Sequence, residues 1–308
     1  MIMLFKRVCF FGLSIVFLAL SVSFLPAETG SIQTRTVNVV FEKPLMPVAR
    51  EIAEIYPAVS SELSRTFRWE IDFSPDIVLA KDRDTFRKMV GSDSILAFAV
   101  PGRNLIVLDT SRVYTKPFTL RTTLKHELCH LVLHRNIQGD RLPRWLDEGL
   151  CQWASGGIAE LMVEEPDKAL AQASASDRLI PLRELDRFPD EEKFLLLAYE
   201  ESRSFVEYLI SRSGEEGLLQ AMGYFKQGNS LDEAMQRTYS MSLQELEQDW
   251  QSRMKRKYTW FYYLSANLYT ILFVFAALIT VYGFVRLLKK KRAYKDEEAE
   301  DEDRGERH

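Results

Sequence analysis

The chain has 308 residues, with 40 Lys and Arg against 44 Asp and Glu and a formal net charge of −4. That near-balance lacks the basic footprint that nucleic acid attracts, so nucleic acid is not an expected partner. Cysteine is sparse, at three residues.

At the start, Lys6 and Arg7 precede an almost wholly apolar stretch at residues 8–20, the pattern of a secretory signal. Residues 1–27 read either as a signal peptide cleaved after Ala27 or as an uncleaved anchor. Cys9 lies outside any lipobox-like context and is not read as a lipid-attachment site. Beyond the signal, roughly 230 residues precede the next hydrophobic stretch, enough for one substantial domain or two small subdomains. Residues 36–41 alternate like a strand, and residues 44–69 look helical with Pro57 as a kink or break. Residues 77–80 read as a strand and 82–90 as a short helix. Residues 95–100 and 104–109, joined through Pro101 and Gly102, read as a hairpin. The expected class is α+β: a small mixed sheet packed on the helix that follows, then a mainly helical subdomain from about Leu161.

That next helix carries the chemistry. Residues 120–134 have apolar side chains at 120, 124, 128, 131 and 132, a helical spacing, with Thr122 or Thr123 as a candidate cap. Within it lies His126-Glu127-Leu128-Cys129-His130, an H-E-x-x-H run. Positions i and i+4 share a helix face, so both imidazoles reach one metal ion. Glu127 then projects towards a metal-activated water and can take its proton. The elongated pattern H-E-x-x-H-x-x-G-x-x-H requires Gly at 133 and His at 136, where this chain has Leu133 and Asn136. His134 lies about 80° further round the helix than His126, and reads as a surface residue or one that supports the site from behind.

A third ligand is sought in residues 144–153, after a loop at 136–140 and with Pro143 suited to the first turn of a second helix. Two adjacent carboxylates compete there, Asp147 and Glu148.

The run H-E-x-x-H followed some eighteen residues later by Trp145-Leu146-Asp147-Glu148-Gly149 resembles the gluzincins, in particular the peptidase MA-like metallohydrolases of bacterial envelopes. The similarity continues through residues 198–210 and 242–250, and so covers about residues 75 to 255. The resemblance implies one Zn2+ held by His126, His130 and Glu148, with Glu127 as general base and later proton shuttle. It also implies an oxyanion donor on a downstream helix, for which Tyr199 is the candidate; a core aromatic beside Phe194 and Phe205 is the equal alternative. By the same resemblance, residues 97–99 form an edge strand along which a substrate backbone pairs.

Cys129 and Cys151, beside His130 and one turn beyond Glu148, are read either as a disulfide tying the two helices or as small buried thiols. Residues 262–288 are apolar for long enough to span a bilayer core of about 30 Å. Aromatic Trp260 to Tyr263 flank one end; Arg286, Lys289, Lys290, Lys291, Arg292 and Lys295 crowd the other, the cytoplasmic pattern. The acidic run 296–303 is too polar to build a core and reads as a disordered tail.

The expected organisation is therefore a signal or anchor at 1–27, a catalytic ectodomain at 28–255, a transmembrane helix at 262–288 and a charged cytoplasmic tail at 289–308. The expected function is an exported, membrane-anchored zinc metallopeptidase acting on a peptide or protein. Two alternatives stand beside it: a non-catalytic zinc-containing envelope scaffold, and a hydrolase of a non-peptide cell-wall amide.

Overall fold

The computed structural model describes residues 29–90, 95–112, 114, 119–137, 141–157, 168–189 and 191–305. The expected signal at 1–27 lies outside these. The chain divides between Gln251 and Ser252 into two compact units.

In the first unit a five-stranded mixed sheet is laid down early in the chain. Its strands are β1 (Thr29–Gln33), β2 (Asn38–Glu42), β3 (Asp76–Ala80), β4 (Ala97–Val100) and β5 (Leu105–Asp109), in the order β1-β2-β3-β5-β4. The parallel pairs β2/β3 and β3/β5 form the centre, and the antiparallel pairs β1/β2 and β4/β5 form the two margins. β5 is buried at all five residues: Leu105 to Leu108 are an unbroken apolar run, and the fifth, Asp109, is paired with Arg83 at 3.0 Å. The β4–β5 hairpin expected from sequence is present, with Ala99 opposite Ile106. β1 is an addition to the expected strands; its residues Thr29 to Gln33 alternate only weakly, and they reach the sheet through a turn closed by Thr34 and Val37.

Helix α1 (Met46–Phe67) connects β2 to β3 and buries Ala49, Ile52, Tyr56, Val59, Leu63 and Phe67, one stripe at three- and four-residue spacing. Pro57 sits inside it without ending it. α2 (Arg83–Val90) inserts Phe86 beside Val107 and Ala80.

Among the described residues, five further helices lie wholly in this unit. α3 (Leu120–Asn136) packs against α1, against β4 and against α4 (Arg144–Ser155). α5 (Lys168–Ala175), α6 (Glu192–Lys226) and α7 (Leu231–Tyr239) follow, with α6 lying on α4. α6 is two helices joined at Ser213 and Gly214, where Gly214 has φ 69°, a value L side chains rarely adopt. α8 (Leu243–Ala266) begins in this unit, burying Leu246 and Trp250. The α+β class thus holds. The expected start of the helical half near Leu161 falls outside the described residues, and helical packing already begins at α3.

Three expectations about helix ends are corrected. α3 starts at Leu120, so its cap is Thr119, whose hydroxyl accepts from Thr122 N at 3.1 Å; Thr122 and Thr123 are already inside the helix. Pro143 is the residue before α4, not its first turn. α3 also runs through Asn136, so the loop expected from that residue begins later.

The second unit contains α9 (Leu268–Gly305). Within it Leu268–Lys291 has a mean hydropathy of 2.3 and no buried residue, and among the described residues it is the helix long and apolar enough to cross a membrane. The acidic run 296–303 continues α9 instead of forming an irregular tail. Its glutamates and Ala299 are good helix formers, and they extend a helix already nucleated upstream.

Candidate metal centre

α3 is buried on nearly every side from Thr123 to Leu133, as befits a helix between a sheet and two other helices. Leu124, Leu128, Leu131 and Val132 fill the core, each worth about 1.5–3 kcal/mol of burial. That leaves His126, Glu127 and His130 carried into the interior by the same packing: 1%, 0% and 7% exposed. α4 crosses beside α3 and is fixed to it covalently, because Cys129 and Cys151 form a disulfide with their Cα atoms 5.4 Å apart.

Three donor atoms converge between these helices. His126 Nε2 and His130 Nε2 are 3.1 Å apart, and Glu148 Oε2 lies 3.7 Å from the first and 3.6 Å from the second. Two donors on a tetrahedral ion with bonds near 2.0–2.1 Å stand about 3.3 Å apart, so the two nitrogens already have nearly that spacing. Two imidazoles and a carboxylate, all buried, fit a zinc ion with one coordination position left for solvent.

The two competing carboxylates differ in direction. Asp147 faces away from the convergent nitrogens: its Oδ1 accepts from His130 Nδ1 at 2.8 Å and its Oδ2 accepts from His134 Nε2 at 2.9 Å. Burial pushes this carboxyl up, but the bonds and charges of His130 and His134 outweigh it and hold Asp147 well below the usual carboxylate range. An ionised Asp147 can only accept, so the nitrogens facing it carry hydrogen. A set of His130, Asp147 and Cys151 is also close in space, but Cys151 is spent in the disulfide.

A cavity of about 490 Å³ is lined by two of the three donor residues, His130 and Glu148. β4 forms one wall through Ala97, Phe98 and Ala99, and Glu127 and Tyr199 also line it. Tyr199 is 1% exposed, and its hydroxyl donates to Glu148 Oε1 at a long 3.4 Å. Its expected neighbour Phe194 is exposed; the ring against it is Phe188, edge-on with centroids 5.0 Å apart. Tyr199 is thus both a packed aromatic and a cavity residue.

Several residues of the site are not singled out by the sequence. Phe188 also lies under the Arg144 guanidinium at 4.5 Å, and Arg144 Nε is 3.7 Å from Glu148 Oε1. Gln152, one turn beyond Glu148, donates from Nε2 to the Tyr199 carbonyl at 3.2 Å. Spacing on α4 points to Arg144 and Gln152; no local signal points to Phe188.

Just past Tyr199, two consecutive buried glutamates hold the preceding segment in place. Glu200 accepts from Leu170 N at 2.7 Å, and Glu201 accepts from Ile180 N at 3.0 and 3.2 Å. Burial pushes the Glu201 carboxyl up to about 8; the Ile180 bond opposes this, and the nearby charges of Glu247 and Glu200 add to it. Between the ordinary carboxylate range and about pH 8 the folded chain keeps a proton that the unfolded chain has released. Stability therefore falls as pH rises through that window, by at most about 1.4 kcal/mol per unit, and levels off above it. Glu201→Gln keeps an acceptor for Ile180 without the charge. Its thermal midpoint is expected to exceed wild type at pH 9 and to match it at pH 5; a constant offset across pH would refute the assignment.

The profile described as the Peptidase MA superfamily matches residues 96–256, which include α3, α4 and α6. The chain belongs to the Peptidase MA superfamily. No curated protein matches the chain. Solved structures similar to this superfamily member include aminopeptidase A of Legionella pneumophila in complex with aspartic acid, at 16% identity and TM-score 0.44 over 74% of this chain and 28% of that one. A Glu-to-Ala variant of an M1 zinc metallopeptidase from Deinococcus radiodurans follows, at 17% and 0.42 over 72% and 50%. Yeast leukotriene A4 hydrolase in complex with bestatin aligns at 16% and 0.44 over 70% and 37%. The chain spans half or less of each of these proteins.

Proposed function

We propose that the chain is a zinc metallopeptidase that hydrolyses peptide bonds, with one Zn2+ held by His126, His130 and Glu148. The observation that carries this reading is the convergence of three buried donor atoms beside a cavity that His130, Glu148 and Glu127 line. Zinc bound there supplies Lewis acidity, lowering the pKa of water and polarising a carbonyl. Glu127 takes the proton of the attacking water and returns it to the departing amine. Tyr199 gives up its long bond to Glu148 and donates to the substrate oxygen as negative charge grows there. The walls of the cavity hold the peptide and limit solvent.

In this reading residues 28–255 form the catalytic domain, exported behind the signal or anchor at 1–27. The expected span at 262–288, supported by the long apolar helical stretch Leu268–Lys291, tethers the domain to a membrane. The basic cluster from Arg286 onward puts the tail at 289–308 on the cytoplasmic side.

Full-length protein purified in detergent without chelators is expected to carry one zinc per chain. It should cleave members of a peptide library, stop when 1,10-phenanthroline strips the metal, and recover when zinc is added. Absence of zinc, or cleavage indifferent to its removal, overturns the proposal. A zinc-loaded protein inert towards every peptide would favour the scaffold alternative. Tyr199→Phe is expected to lower kcat by about 10²–10³-fold with zinc content unchanged; equal turnover would confine Tyr199 to packing.

A further inference from the structure

His134 is the one histidine near the centre that the proposed chemistry does not use. It lies one turn beyond His130 on α3, and its side chain is 35% exposed. It nevertheless points inward, to the same carboxylate that His130 contacts. Asp147 reaches across from α4 and is bonded at both oxygens, Oδ1 to His130 and Oδ2 to His134.

One bond and two have different mechanical consequences. A carboxylate held only by His130 Nδ1 would turn about its Cβ–Cγ bond, and the imidazole would swing with it. The second bond, on the opposite oxygen, fixes the plane of the carboxylate. Oδ1 then faces His130 Nδ1–H in one orientation, which keeps the ring's Nε2 3.1 Å from His126 Nε2 and 3.6 Å from Glu148 Oε2. Since Asp147 adjoins Glu148 on α4, the bond also sets the depth at which α4 presents its carboxylate to α3. Groups that orient a metal-bound imidazole in this way contribute to metal affinity without touching the metal.

We propose that His134 is a positioning residue that acts through Asp147 to hold His130 in its metal-binding orientation. The inference rests on the zinc-site reading above, and its test does not depend on peptide cleavage. Zinc dissociation constants of the full-length protein would be measured by competition with a fluorescent chelator, alongside the thermal midpoint of the metal-free form. His134→Ala is expected to weaken zinc binding by about 10-fold, the lower end of the range for groups behind a ligand, with the metal-free midpoint unchanged. His134→Gln offers an amide N–H at nearly the same reach and is expected to restore most of the affinity. In an Asp147→Ala background, His134→Ala should cost nothing further, because its effect passes through the missing carboxylate.

Wild-type affinity in His134→Ala overturns the proposal. So does a loss that glutamine does not rescue and that tracks an equal fall in metal-free stability, which would make His134 a prop for the fold. Additive losses in the double variant overturn the path through Asp147. If Asp147→Ala does not fold, the alanine and glutamine variants of His134 decide alone. If the wild-type protein takes up no zinc, the zinc-site reading fails first, before any variant is compared.

Discussion

Glu127→Gln is expected to reduce turnover by about 10²–10⁴-fold, the range that a positioned proton acceptor contributes. The side chain is wholly buried on α3, directly after His126 in the chain, and it lines the cavity. An amide of the same shape preserves the packing but cannot take a proton from water. Zinc content and thermal midpoint should therefore remain those of the wild type, so the loss is chemical and not structural. Parallel measurement of kcat/KM, zinc stoichiometry and unfolding separates the cases. Turnover within about 3-fold of wild type in a folded, metal-loaded variant would remove Glu127 from the reaction, because a proton transfer in the transition state cannot be worth so little.

What can be read from the chain before folding follows physical range. The i, i+4 spacing of His126 and His130 is a local property of a helix, and the apolar spacing from Leu120 to Val132 identifies that helix without tertiary information. The hairpin of β4 and β5 is likewise local, signalled by Pro101 and Gly102 between two apolar runs. Glu148 is different: nothing in its own surroundings separates it from Asp147, and only the family pattern prefers it. What distinguishes them is how α4 is rotated against α3, which turns Asp147 to His130 Nδ1 and His134 Nε2, and Glu148 to the Nε2 atoms of His126 and His130. Phe188, eleven residues before Tyr199 and packed edge-on against it, is not legible at all, since loop residues carry no periodicity to say where they return. Thr119 escapes notice for a simpler reason: three threonines near the start of α3 offer equivalent caps, and the backbone conformation selects among them.

Gly149→Ala is expected to damage both fold and metal site. This glycine follows Glu148 on α4 where α4 meets α6. A Cβ placed there would overlap the Ser202 carbonyl oxygen and lie 2.7 Å from Val206 Cγ2 and 2.9 Å from the Ser202 carbonyl carbon. Because the obstructing atoms include helix backbone, no rotamer change relieves the clash, and the helices must separate. Overpacking of this kind costs about 1–3 kcal/mol, and a rigid backbone contact belongs at the upper end. In a domain of this size that corresponds to a drop in thermal midpoint of about 6–12 °C. The disulfide at Cys151 keeps α4 pinned to α3, so the displacement is thrown onto the stretch holding Glu148 and Asp147, and zinc affinity should fall with stability. Gly223, on α6 itself, has open space within 4 Å of where a Cβ would stand and serves as the control. Gly223→Ala removes backbone freedom from a helix interior and should raise stability by about 0.5–1 kcal/mol. If both alanines behave alike, helix propensity rather than the α4–α6 contact governs position 149, and the close approach beside Glu148 has no role in shaping the site.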